Sequence, residues 1–268
     1  MGYPILMTMN PDVRQAADRA NDSAVVEWGA RLGYAANGLI HLLIAWIAAQ
    51  VALGSGGGQN ADQSGALATL AKESYGQVLL WVAVAAFTLL VVWEITEAVL
   101  RHETGDRVKA AAKAVAYGAL GWTAFTFASG GHSSSSKTTK DFTATLMNAP
   151  GGQLLVGAVG AGIVAIGGYH VYKGWTKKFM EDLKEHPGRF ATVAGRVGYI
   201  AKGVALGVVG FLFVVAAVQH RSGKATGLDG ALRTLRDAPA GTVLLLLVAL
   251  GIAAFGVYSF ARARYARV

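Results

Sequence analysis

The chain has 268 residues, of which 53% are hydrophobic and only 15% charged, and its mean hydropathy is +0.41. An ordinary soluble domain carries roughly 25% charged residues, so this composition excludes a water-coated globule and points to an all-α integral membrane protein of several spans. The net charge of +8 comes without a basic cluster interleaved with aromatics on a soluble domain, which argues against nucleic acid as a partner. The absence of cysteine excludes disulfides and thiolate metal sites.

Residues 1–26 form a cytoplasmic N-terminal segment. They hold no apolar stretch of signal-peptide type, and Asp12, Asp18 and Asp22 stand where such a signal is basic and then apolar. Asn10-Pro11-Asp12 predicts the cap of a short helix, with Val13, Ala16, Ala17 and Ala20 on its weakly apolar side.

Residues 27–101 form the first of three repeats, with spans at about 31–53 and 77–100. About 23 residues rise about 35 Å as a helix, enough to cross a hydrocarbon layer of about 30 Å with some tilt. Between the spans lie a glycine-rich break and a short helical turn, Gly65-Ala66-Leu67-Ala68-Thr69-Leu70. The second repeat, 106–178, has spans at about 112–129 and 153–175. The apolar part of its first span, 114–128, covers only about 23 Å, so it must borrow residues 110–113 or thin the bilayer locally. Its outer loop carries serines 133–136, and a short helix is expected at 142–147. The third repeat, 191–268, has spans at about 197–219 and 242–260, with the turn returning as Gly230-Ala231-Leu232-Arg233-Thr234-Leu235.

The repeat is written in the residues themselves. Arg31-Leu32-Gly33-Tyr34-Ala35-Ala36-Asn37-Gly38 returns as Arg196-Val197-Gly198-Tyr199-Ile200-Ala201-Lys202-Gly203, and Tyr117-Gly118-Ala119-Leu120-Gly121 reads as a worn middle copy. Gly76-Gln77, Gly152-Gln153 and Gly241-Thr242 each open a second span. Sixteen lysines and arginines fall on the side holding both termini and seven on the other, which places both termini in the cytoplasm of a bacterial plasma-membrane protein. Two spans per unit give all three units one orientation. The simplest arrangement is three hairpins about a pseudo-threefold axis along the membrane normal, with short loop helices on the outer face.

Gly38, Gly121, Gly157, Gly160, Gly203, Gly207 and Gly210 are read as helix-packing positions, because small residues let helix backbones approach closely. The intramembrane polar candidates are Lys202, Glu94, Glu97, Asn37, His41 and His170. Lys202 lies about 9 Å inside its span. Three accounts are open for it: its amine reaches back to the interface, it pairs with Glu94 or Glu97 at matching depth, or it serves transport or a proton relay. His41 and His170 suggest bis-histidine haem, but their depths differ by about 8 Å, and hydrogen bonding to backbone or to Asn37 is the simpler account. No cofactor and no metal ligand set is expected. Glu94 and Glu97 are the only acids within spans, and no hydrolase or metalloprotease motif occurs, so an enzyme is not expected.

With its Arg-x-Gly-Tyr-x-x-x-Gly opening, Gly-Ala-Leu turn and glycine-led second span, the chain resembles the bacterial, chiefly actinobacterial, membrane family catalogued as domain of unknown function 1206. Arg31, Gly33, Tyr34 and Gly38 match the opening, as do Arg196, Gly198, Tyr199 and Gly203; Gly65-Ala66-Leu67 and Gly230-Ala231-Leu232 match the turn. The middle unit departs, with Ala114 at the arginine position and Thr143-Ala144-Thr145 at the turn. The resemblance implies a six-span fold and no activity.

Glycine-rich packing faces, little polar lining and little soluble mass point to a non-enzymatic accessory or scaffold subunit. Its partners would be membrane lipids and other integral membrane proteins of a respiratory or envelope assembly. The alternative is a small transporter or channel with Lys202, Glu94, Asn37 and His41 around a cavity, and a third reading is lipid or quinone binding.

Overall fold

The computed structural model describes residues 24–55, 58–100 and 104–265, so the expected helix in segment 1–26 lies outside the described residues. Among the described residues nine α-helices follow in order: α1 (Ala24–Ala52), α2 (Gln63–Leu70), α3 (Gly76–Leu100), α4 (Thr104–Ala128), α5 (Ser135–Met147), α6 (Gly152–Trp175), α7 (Gly188–Val218), α8 (Gly227–Arg236) and α9 (Gly241–Tyr265). Short 3-10 turns stand at Lys178–Asp182 and Ser222–Lys224, and no strand occurs among the described residues. Four stretches among the described residues are long and apolar enough to cross a membrane: Arg31–Ala52, Gly152–Trp175, Gly188–Val218 and Gly241–Tyr265. Gly76–Val92 is a shorter apolar helix. Helix α4 is interrupted in its first half by Asp106, Arg107, Lys109 and Lys113. It is nevertheless 25 residues long, because it starts well ahead of the expected residue 112.

Each loop helix hands over to the next long helix in one way. Gly76, Gly152 and Gly241 sit against the backbone carbonyls of Leu70, Leu146 and Arg236, in space that a Cβ would need. The chain therefore reverses within a few residues, and glycine is required at all three positions.

The long helices pack chiefly between repeats rather than within them. The close pairs are α3 with α4, α6 with α7, and α9 with α1, so the second long helix of each repeat meets the first of the next, and the last returns to the first. In the α6–α7 seam, a Cβ at Gly160 would stand 2.9 Å from the Gly210 carbonyl oxygen, and one at Gly167 2.7 Å from that of Gly203. In the α9–α1 seam, Gly38 lies against Gly256 in the same manner, at 2.9 Å. Backbone-to-backbone approach of this kind is how helices gain packing energy where lipid removes the hydrophobic drive. In the α3–α4 seam, Gly121 meets the Phe87 side chain and Gly118 only reaches Val91, a looser contact.

Two of the expected packing glycines behave differently from the rest. Gly157 makes an ordinary contact with Ala217, and a Cβ at Gly207 would enter open space, although the Gly207 backbone receives Gly167. The expected trio of hairpins is also corrected. Among the described residues only the third repeat forms a densely packed hairpin, with Gly198 of α7 against the Phe255 backbone of α9, whereas α3 and α4 meet the remainder mainly through α2. The close-approach glycines lie on faces that point to the neighbouring repeat, and this decides the pairing.

Candidate functional site

Polar groups gather at two levels. At the basic end, the link after α6 tucks Phe179 completely under α7 and α9, where it stacks on Tyr199 and accepts the Tyr258 hydroxyl at its carbonyl, 3.2 Å away. Asp182 then bonds Lys173 at 2.7 Å and lies 3.5 Å from Arg262. Arg262 in turn covers the Tyr34 ring and Arg196 the Trp175 ring. Arginines on aromatic faces and tyrosines with satisfied hydroxyls suit the boundary between hydrocarbon and water.

One turn deeper, two of the three seams carry a bonded polar pair. In α3–α4, Lys113 donates to Glu94 at 3.2 Å, with Glu94 buried and Lys113 half-exposed. In α9–α1, Asn37 donates its side-chain amide to Ser259 Oγ at 3.0 Å, and Ser259 donates to the Phe255 carbonyl. In α6–α7 stand two basic groups, Lys202 of α7 and His170 of α6. The Lys202 Nζ lies 4.2 Å from the centre of the Phe255 ring. His41 donates from Nδ1 to the Asn37 carbonyl at 2.8 Å and packs beside Phe255; His170 does the same to Ile166 at 2.9 Å.

Of the three accounts open for Lys202, a pair with Glu94 is therefore not the one formed. Glu94 belongs to the α3–α4 seam and its carboxylate is engaged by Lys113, while Lys202 belongs to the α6–α7 seam. The Glu97 side chain lies outside the described residues. Lys202, Asn37, His41 and His170 are brought around Phe255 and Tyr199; Glu94 is not among them.

The opposite end is closed by a hydrogen-bonded cap that sequence reasoning missed. Asp229 of α8 accepts the Ala61 amide at 2.8 Å and both oxygens hold Arg233 Nε, while Arg233 also donates to the Gln59 carbonyl at 2.7 Å. Asp62 caps α2 through Ser64 and Gly65. Asn60 and Ser64 reach Ser134 and Ser135 at the start of α5, and Ser136 donates to the Thr226 carbonyl. The starts of the three loop helices are thus tied in a ring. Asp62 is 1% exposed, and burial, with Asp229 adding repulsion, raises its carboxyl above the ordinary range. The only sequence signal was an Asp, Ser or Thr ahead of each loop helix, which is a common capping pattern.

The sequence matches the family described as Domain of Unknown Function (DUF1206) three times, over residues 32–101, 108–177 and 197–266. It is 28% identical over 250 residues to a Bacillus subtilis (strain 168) protein described as uncharacterized protein YxxB, covering 88% of this chain and 89% of that one. No solved structure matches.

The three matched stretches are equal in length, and laid end to end they correct the middle register. Asn37, Lys113 and Lys202 each fall at the sixth residue, and Glu94, His170 and Ser259 share a second position. Two seams therefore repeat one bonded pair, and the third carries Lys202 and His170 at the same two positions. Arg107, not Ala114, stands where Arg31 and Arg196 do, and the Tyr117–Gly121 copy was displaced by seven residues. Seven residues are two helical turns, so a slip of that size leaves the same face looking alike.

Proposed function

We propose, from the premise that the chain belongs to the family described as Domain of Unknown Function (DUF1206), that it is a non-enzymatic six-span accessory or scaffold subunit of a bacterial plasma-membrane assembly. Both termini and the basic end face the cytoplasm, as the lysine and arginine bias indicates. The three repeats form a pseudo-threefold ring through their seams, with the loop helices as its outer cap. α3 and α4 are the second and third spans: α3 is apolar, and α4 completes its length with the charged turn that holds Lys113.

The observation that carries this reading is the pairing of polar groups across helix seams. Glu94 meets Lys113 and Asn37 meets Ser259, while both histidines bond their own helices. Groups spent on holding helices together serve assembly. A transporter calls instead for Lys202, Glu94, Asn37 and His41 around one cavity, and Glu94 is in a different seam. The partners of such a subunit are other integral membrane proteins and the surrounding lipid.

Purification of the tagged chain from its native membrane in mild detergent, followed by native mass spectrometry, tests the proposal. Stoichiometric companion subunits are expected. A lone chain carrying a reproducible small bound mass would overturn the accessory role in favour of transport or ligand binding.

A further inference from the structure

The α3–α4 seam differs from the other two in a way that makes a site. In the α6–α7 seam Gly167 meets Gly203, and in α9–α1 Gly256 meets Gly38. The same positions in α3–α4 are Val91 and Ala114. Their side chains hold the helices apart, and a groove of about 740 Å³ opens between them. Ligand sites commonly fall between roughly 300 and 1,000 Å³.

Val91 and Ile95 of α3 and Ala111 and Ala114 of α4 line this groove, and Thr104 and Arg107 stand at its basic end. Arg107 donates from Nε to the Ala98 carbonyl at 3.0 Å, which fixes the guanidinium across the mouth. The other cations of α4 answer to carboxylates, Lys109 to Asp106 and Lys113 to Glu94. Arg107 instead answers to a backbone carbonyl. An apolar channel parallel to two spans, closed by an arginine at the cytoplasmic side, matches an amphiphile with one anionic head and a hydrocarbon tail. Guanidinium recognises phosphate by paired hydrogen bonds, and the cytoplasmic leaflet supplies anionic lipid.

We propose that this groove holds an acyl chain of an acidic phospholipid, with the lipid phosphate on Arg107. The proposal rests on the membrane placement given above.

The test uses the full chain in nanodiscs of equal phosphatidylglycerol and phosphatidylcholine, released into detergent and read by native mass spectrometry. The wild type should retain about one phosphatidylglycerol per chain. Arg107→Gln should lose the preference between the two lipids. Ala111→Phe, which fills the groove from an exposed position, and Val91→Gly with Ala114→Gly, which restores the glycine contact, should each retain several-fold less lipid. Size-exclusion profiles identify any variant that fails to fold, and either of the last two suffices. A wild type without retained lipid, a folded Ala111→Phe chain that keeps phosphatidylglycerol, or a polypeptide in the groove would overturn the proposal. Labelling of Thr104→Cys separates the two failures: modification from the outer side would refute the topology, and modification from the cytoplasmic side with no lipid would refute the groove alone.

Discussion

Gln153 donates its side-chain amide to the Ala217 carbonyl at 2.7 Å, joining the second long helix of one repeat to the first of the next. Gln77 makes the same bond to Ala128. Ala128 and Ala217 occupy one position in their repeats, as do the two glutamines, so the bond marks the seam as a unit of construction. Carbonyls at a helix end lack the regular partner four residues on, and the glutamine adds a donor from the next repeat. In the third repeat Thr242 stands at the glutamine position, and the α9–α1 seam relies on its glycines and on Asn37 with Ser259.

The glycine seam predicts a sharp positional contrast. Gly167→Val places a branched side chain against the Gly203 carbonyl and the Gly207 backbone, and overpacking of this kind costs about 1–3 kcal/mol. Gly162, on the same helix, has nothing within 4 Å of an added Cβ. Thermal denaturation in detergent should show a lowered Tm for Gly167→Val and an unchanged one for Gly162→Ala.

The corrected ion pair predicts which charge reversal is rescued. Glu94→Lys sets two cations together in a buried seam, with a loss on the order of 1–3 kcal/mol. Adding Lys113→Glu should restore most of the stability measured by thermal denaturation. Adding Lys202→Glu instead should restore none of it, because Lys202 lies in another seam.

The outer cap predicts a local effect. Asp229→Ala strands the Ala61 amide and Arg233, at a cost of about 1–3 kcal/mol. Hydrogen exchange should quicken at residues 59–66 and 227–236 while the middle of α7 is unchanged.

Asp62 predicts a pH dependence with a definite sign. Its folded carboxyl binds a proton more tightly than the unfolded one, because burial disfavours the charge and Asp229 adds repulsion, although Arg233 neutralises much of Asp229. The stability this provides is complete below the unfolded value and is lost as pH rises through the raised folded value. Compared with the wild type over that range, Asp62→Asn should flatten the pH dependence of amide protection at Ser64 and Gly65. An unchanged slope would contradict the assignment.

Much of this structure was legible in the residues. The paired Arg-x-Gly-Tyr openings gave the repeat, the Gly-led starts open the second long helices, and Gly38, Gly160, Gly203 and Gly210 lie at close helix contacts. The middle opening was misplaced because Tyr117-Gly118 imitates Tyr199 one heptad further along the same helix face. The Glu94–Lys113 pair was not foreseen, because depth in the bilayer can be counted along a sequence, whereas the identity of the neighbouring helix cannot. The cap went unseen for the same reason: Asp229 and Ala61 are ordinary loop residues until the fold brings them together across 168 positions.

The most direct test of the account is a disulfide across the closing seam. The chain has no cysteine of its own, so Asn37→Cys with Ser259→Cys introduces a single possible bridge, where the native side chains approach to 3.0 Å. A protease site placed in the link between α6 and α7 then divides the oxidised chain in native membranes. The account predicts that the two fragments stay joined until reductant is added. Fragments that separate without reductant would show that the last helix does not return to the first, and would contradict the cyclic pairing of repeats.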